Sequence, residues 1–235
     1  MTGTTRAGVR DMVERLERLA SAEDATGKAR FGIRGARVLG IRMPELQAMA
    51  RDIGTDHGLA LDLWKTGIHE ARILAALVDD PGLVDEAQLE AWVGDFDSWD
   101  LCDQCCGKLF DRTALAWDKA AEWAGRKPEF ERRAGYVLMA QLAVHDRKAP
   151  DSAFDLFFPL IQSGANDGRN FVKKAVNWAL RQIGKRNVAL NAKAVECAGK
   201  LRDSGDATAR WIASDALREL TSPAVQDRLW SREGK

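Results

Sequence analysis

The segment NFVKKAVNWALRQI (170–183) indicates how this chain folds. At about 100° per residue, its apolar side chains form one narrow stripe: Val172, Val176, Ala179 and Ile183, flanked by Ala175 and Leu180. A stripe of this kind is typical of an amphipathic helix that buries one face. We therefore predict a helix here.

Similar segments recur along the chain. Each opens with polar or basic residues and continues as an amphipathic helix: HEARILAALVDD (69–80), FERRAGYVLMAQLA (130–143) and ATARWIASDALREL (207–220). Taking Arg133, Lys174 and Arg210 as equivalent points, the intervals are 41 and 36 residues. These intervals predict an all-α solenoid of HEAT- or armadillo-like repeats, in which one helix of each pair forms a concave inner face. A non-repetitive helical bundle is the alternative.

Composition supports a globular helical protein. The chain has 35 Lys and Arg against 35 Asp and Glu, and 46% of its residues are hydrophobic. Gly and Pro recur at intervals that separate helices, with no long linker, so we expect one domain over residues 1–235. No apolar run is long enough to span a membrane, and the charged N-terminus does not resemble a signal peptide. We expect a cytoplasmic monomer.

The opening segment also carries an unusual set of charges. Lys174, Trp178, Arg181 and Lys185 form a second stripe opposite the apolar one, and no acid occurs between Asp167 and Glu196. Solvated helix faces normally mix charge signs. Cations with an interleaved aromatic suit contact with a nucleic acid, through phosphates and a base or sugar. The alternative is that Trp178 caps a neighbouring repeat while the cations are simply solvated.

The helix predicted over 130–144 has a comparable arrangement. Its core stripe comprises Gly135, Leu138, Met139 and Leu142, and Arg133 lies on the opposite side. Two repeats that aim cations the same way favour a binding groove. A buried salt bridge between repeats is the competing use of Arg133.

The segment FDSWDLCDQCC (96–106) combines acids, an aromatic and cysteines. Asp97 or Ser98 suits a helix N-cap, whereas Asp103 lies one turn beyond Trp99 on the same face. A carboxylate beside an aromatic ring can stabilise positive charge on a sugar or hold a water. A surface Asp paired with Arg133 or another Arg is the alternative.

The four cysteines are Cys102, Cys105, Cys106 and Cys197. No His lies near the first three in sequence, and only the distant Cys197 could complete a four-thiolate zinc site. We interpret them as small buried residues and expect no metal and no cofactor.

Three motifs together resemble the AlkD family of DNA alkylation repair glycosylases, which are HEAT-like-repeat enzymes. The resemblance implies catalytic roles for Trp99 and Asp103 in DSWDLCD (97–103). It also implies a phosphate- or lesion-side role for Arg133 in RRAGYVLMAQLA (132–143). In NFVKKAVNWALRQIGK (170–185) it implies catalysis by Trp178 and DNA contact by Arg181. We add Phe171, Lys174 and Lys185 as expected DNA contacts.

The resemblance further implies a monofunctional hydrolase of base excision repair. Its partner would be double-stranded DNA with N3- or N7-alkylated purines, cleaved at the N-glycosidic bond without base flipping to leave an abasic site. Two other hypotheses compete. One is a non-catalytic HEAT-type scaffold that binds DNA or protein, and the other is a module that binds protein only.

Overall fold

The computed structural model of the 235-residue chain describes residues 8–33 and 37–233. All regular structure in these residues is helical, so the prediction of an all-α protein is confirmed. The chain divides into two compact units, Met1–Thr113 and Ala114–Lys235. The prediction of a single domain over residues 1–235 stays a prediction.

The first unit is organised around its fifth helix. The helices are α1 Val9–Arg18, α2 Ala22–Arg30, α3 Met43–Ile53, α4 His57–Lys65, α5 His69–Val78, α6 Glu86–Gly94 and α7 Trp99–Lys108, followed by a 3₁₀ turn over Phe110–Arg112. Most residues of α5 are buried, and α3, α4 and α7 pack against it. The α5 helix therefore forms the centre of this unit.

The second unit consists of stacked helix pairs. The helices are α8 Ala116–Ala124, α9 Glu129–His145, α10 Asp151–Asp155, α11 Phe157–Gly164, α12 Asn170–Gly184, α13 Val188–Asp203, α14 Ala207–Leu220 and α15 Pro223–Glu233. The α9, α12 and α14 helices lie side by side, and each also packs against a partner, α8, α11 or α13. A row of helices backed by a second row is the arrangement expected of helical repeats.

The predicted core stripes are confirmed. All six apolar residues of the α12 stripe have no exposed surface, and the four residues of the α9 stripe are buried. Gly135 allows the close approach of α8, because a Cβ at this position would lie 2.3 Å from the Ala124 backbone nitrogen. An alanine here would force α8 and α9 apart.

Most of the glycines and prolines that were expected to separate helices lie at helix ends. The α3 helix ends before Gly54, where φ is +74°, a conformation that favours glycine. Pro150 precedes α10, and Pro223 begins α15. Gly58, by contrast, lies inside α4, where Asp56 caps the helix by accepting a hydrogen bond from the Leu59 amide.

Candidate functional site

In the first unit, Trp99 and Asp103 lie on one side of α7. Trp99 is the first residue of the helix, Asp103 follows one turn later, and both side chains are partly exposed. Leu101 and Cys102, between them, are buried. The α7 helix therefore presents an indole and a carboxylate on adjacent turns of its accessible side.

The indole of Trp99 is held by a distant part of the same unit. Its Nε1–H donates to the carbonyl oxygen of Phe31, at 2.9 Å. Phe31 follows directly after α2, and its side chain is 72% exposed. This hydrogen bond orients the Trp99 ring, and the sequence carried no signal of it because 68 residues separate the two partners.

The base of α7 is fixed by a buried histidine that the sequence analysis missed. The His69 Nε2 lies 2.9 Å from the Asp100 Oδ2, and His69 has almost no exposed surface. Burial alone raises the pKa of Asp100, but the contact with His69 outweighs this effect and lowers it. Asp100 thus anchors the first turn of α7 to α5, while Ser98 is the N-cap residue without a capping side-chain hydrogen bond.

Glu70, next to His69, is the second group that the sequence analysis missed. Its carboxylate is fully buried and accepts hydrogen bonds from the Lys28 Nζ at 2.7 Å and from the amides of Leu39, Gly40 and Ile41. Burial alone raises the pKa of Glu70, but the bonds from Lys28 and the Leu39 amide outweigh it and lower the pKa. This carboxylate ties the residues before α3 to α5 and α2.

In the second unit, α12 presents the predicted aromatic–basic face. Trp178 is partly exposed, and its indole N–H has no acceptor among the residues that the structure describes. Lys174, one turn earlier, is exposed and has no ion-pair partner within the described ranges. An indole N–H and an ammonium are therefore both available to an external acceptor on this face.

Phe171 and an unpredicted tryptophan lie near the start of α12. The Phe171 ring is partly exposed and packs against Phe130, with the ring centroids 5.6 Å apart. The Lys173 ammonium lies 4.9 Å from the ring centroid of Trp211, on α14, whose side chain is 41% exposed. The sequence analysis did not single out Trp211, although it lies in one of the repeated segments.

The two remaining cations of the α12 stripe are not free, which corrects the interpretation of the acid-poor segment. Arg181 forms an ion pair with Glu219 and lies 3.7 Å from Asp215, and Lys185 donates to Glu219 at 2.6 Å. Burial raises the pKa of Glu219, but the Lys185 hydrogen bond and the Arg181 charge together lower it. Acidic residues of α14 therefore pair with these cations of α12.

The structure buries Arg133, which the sequence analysis placed opposite the core stripe of α9. Arg133 is only 5% exposed, and its guanidinium donates to the Phe171 carbonyl oxygen at 2.5 Å. The α9 helix is enclosed by α8 and by α12, so the side opposite its core stripe is also covered. Arg133 therefore links α9 to α12, and a DNA contact by this residue stays a prediction that its burial weighs against.

The cysteines are confirmed as buried residues. None of the four forms a disulfide, and all have little or no exposed surface. Burial raises the pKa of Cys105 and of Cys106 well above the usual range, so these thiols stay protonated at neutral pH. Cys102, Cys105 and Cys106 serve as small apolar groups on the buried side of α7, and Cys197 does so on α13.

The helices pack in pairs, which defines a HEAT-like helical-repeat protein. These helices present aromatic, acidic and basic side chains. A family model described as DNA alkylation repair enzyme matches residues 12–220, so the chain belongs to that family. The resemblance inferred from the three sequence motifs is confirmed.

Comparison with solved structures supports the same fold. One similar structure is described as "A new family of proteins related to the HEAT-like repeat DNA glycosylases with affinity for branched DNA structures". Its TM-score is 0.72 at 21% identity, with 83% of each chain covered. No curated protein matches this chain. Within the described residues, no helix is both long and apolar enough to cross a bilayer.

Proposed function

We propose that this protein is a monofunctional DNA glycosylase that removes N3- and N7-alkylated purines from duplex DNA as the first step of base excision repair. The observation that carries the proposal is the pair Trp99 and Asp103 on adjacent turns of α7, within the residues that match the family. The chain acts as a monomer on double-stranded DNA and leaves an abasic site.

The chemistry requires little of the protein beyond charge and position. Alkylation at N3 or N7 makes the purine cationic, so it leaves as a neutral base and no acid has to protonate it. Breaking the N-glycosidic bond leaves positive charge on the sugar, and the Asp103 carboxylate stabilises that charge. The same carboxylate orients the water that adds to the sugar, and it accepts the proton that the water releases.

The indole of Trp99 is proposed to contact the deoxyribose of the damaged nucleotide, and the indole of Trp178 is proposed to contact the bound DNA. Trp99 has a fixed ring orientation because its N–H is bonded to the Phe31 carbonyl. Trp178 has an N–H available to a sugar or phosphate oxygen. Contact with the sugar lets the base stay stacked, so bulky adducts are tolerated because they do not have to enter a base pocket.

The proposal is tested by base release. Purified protein is incubated with duplex DNA treated with N-methyl-N-nitrosourea, and the freed bases are separated by liquid chromatography. We expect release of 7-methylguanine or 3-methyladenine in amounts proportional to the abasic sites formed. Release of neither base under single-turnover conditions, with protein in excess, contradicts the proposal.

A second candidate function is non-catalytic binding of DNA. One observation favours it: the similar structure described above comes from a family of proteins with affinity for branched DNA. This candidate predicts binding of duplex or branched DNA without release of any base. Absence of binding to either DNA at low salt favours a protein-binding module instead.

The Glu219 ion pairs give a specific prediction for DNA affinity. Glu219→Gln removes the partner of Lys185 and the nearer of the two acids that face Arg181, so both cations become more available to phosphates. We expect tighter duplex binding and a slope of log K against log salt that is steeper by about 1 for each cation that gains a phosphate. Fluorescence anisotropy over a salt series measures both quantities.

Glu196→Gln is the matched control for this prediction. Glu196 is exposed on α13, and among the residues that the structure describes it pairs only with Lys200 of the same helix. The Glu196→Gln variant removes the same negative charge but leaves the ion pairs of Arg181 and Lys185 with Glu219 intact. Equal changes in slope for the two variants show that Glu219 exerts only a general charge effect, and the interpretation of α12 as a DNA-contacting helix is then wrong.

A further inference from the structure

The second unit contains a basic hollow that the proposed function leaves unexplained. Its volume is about 710 Å³. Among the described residues, five cationic side chains and a single carboxylate line it: Arg147, Lys185, Arg186, Arg228 and Arg232, with Asp151. These residues come from the segment between α9 and α10, the first position of α10, the two positions after α12, and α15. A hollow of this size can hold a group as large as a nucleotide.

Two of these cations are already used within the protein. Arg186 donates to the carbonyl oxygens of Ala143 and Ala149, and its guanidinium lies 4.6 Å from the ring centroid of Phe154. It therefore neutralises carbonyl groups near the end of α9 that would otherwise repel an anion. Lys185 is paired with Glu219.

The single acid does not neutralise the other cations. Both Asp151 carboxylate oxygens accept from the Asn187 amide, at 2.8 and 2.9 Å. Arg147, Arg228 and Arg232 are exposed, and none has an ion-pair partner among the residues that the structure describes. Three unpaired guanidinium groups around one hollow give it a local positive potential, which attracts an anion.

We infer that this hollow binds backbone phosphates of DNA, through Arg147, Arg228 and Arg232. Guanidinium groups suit phosphate because they donate two parallel hydrogen bonds to it. A DNA strand is favoured over a free phosphate compound because Lys185 belongs both to this hollow and to the basic stripe of α12. A strand bound along that stripe thus continues into the hollow, past the end of α12. The inference rests on the DNA binding in the proposed function, but not on catalysis.

The test compares two triple variants. The hollow variant carries Arg147→Gln, Arg228→Gln and Arg232→Gln. The control variant carries Lys193→Gln, Lys200→Gln and Arg202→Gln. The control residues are exposed on α13, outside the hollow, and their replacement removes the same three positive charges. All six positions are exposed, so both variants are expected to fold, which circular dichroism checks. Binding to undamaged duplex is measured by anisotropy over a salt series, and binding of pyrophosphate is measured by calorimetry.

We expect the hollow variant to bind DNA more weakly than the control, with a salt slope shallower by about 1 for each phosphate that the protein no longer neutralises. Equal behaviour of the two variants overturns the inference. It is also overturned if only pyrophosphate binding is lost, because the hollow then serves a free phosphate compound. Undamaged DNA separates this test from the glycosylase test, since a protein that binds through the hollow but releases no base contradicts only the catalytic proposal.

Discussion

Asp103→Asn is expected to slow the release of alkylpurines by about 10²–10³-fold, the effect typical of removing a group that stabilises charge in the transition state. The amide keeps the size of the side chain but loses the negative charge that offsets the developing charge on the sugar. Duplex binding should be unchanged or slightly tighter, because a negative charge near phosphates is removed. The single-turnover rate of 7-methylguanine release is the measurement.

Asp97→Asn provides the matched control. Asp97 lies two residues before α7 and is exposed, so its replacement removes the same charge from the same segment. Its rate should stay close to that of the unmodified protein. An Asp103→Asn variant as active as this control contradicts the proposed mechanism, whether or not the protein is a glycosylase.

Glu70→Gln is expected to cause the largest loss of stability, about 3 kcal/mol in the free energy of unfolding. Removing one partner of a buried ion pair typically costs about 3–5 kcal/mol, and the lower end applies because Lys28 is partly exposed. The new amide also places an N–H group among the amide donors of Leu39, Gly40 and Ile41. Urea denaturation followed by circular dichroism measures the loss.

Low pH should also destabilise the folded protein through Glu70. Because the folded-state pKa of Glu70 is lowered, its stabilisation is complete above the unfolded-state pKa, about 4.3, and is lost as the pH falls through the folded-state value. The difference in stability between the protein and Glu70→Gln should therefore shrink in acid. Glu23→Gln, at an exposed site on α2, should leave stability nearly unchanged. If it destabilises as much as Glu70→Gln, the buried ion pair is not the cause.

The candidate site was only partly predictable from sequence. The adjacency of Trp99 and Asp103 followed from their spacing within one helix. In the structure both side chains are partly exposed, as the proposal requires. The anchors of α7 were not predictable, because His69 lies 31 residues before Asp100 and Phe31 lies 68 residues before Trp99. Local spacing contains no information about interactions made at that separation.

The availability of the cations on α12 also could not be predicted from sequence. The segment from Asp167 to Glu196 contains no acid between those two residues, yet Arg181 and Lys185 are paired by Glu219, 38 and 34 residues further on. A run of cations in sequence describes one helix only. Whether those cations are available depends on the helix packed beside it.

The sequence by itself determined that this chain is helical, which residues of α9 and α12 form the core, and which repair family it belongs to. These properties follow from the periodicity of each helix and from short motifs, so they need no knowledge of neighbours. Only the tertiary structure decided that Arg133 is buried, that Glu219 neutralises α12, and that arginines from α15 share a hollow with the end of α9. The reason is geometric: a helical wheel orients side chains about their own axis, whereas burial and pairing depend on the helices that pack on every other side.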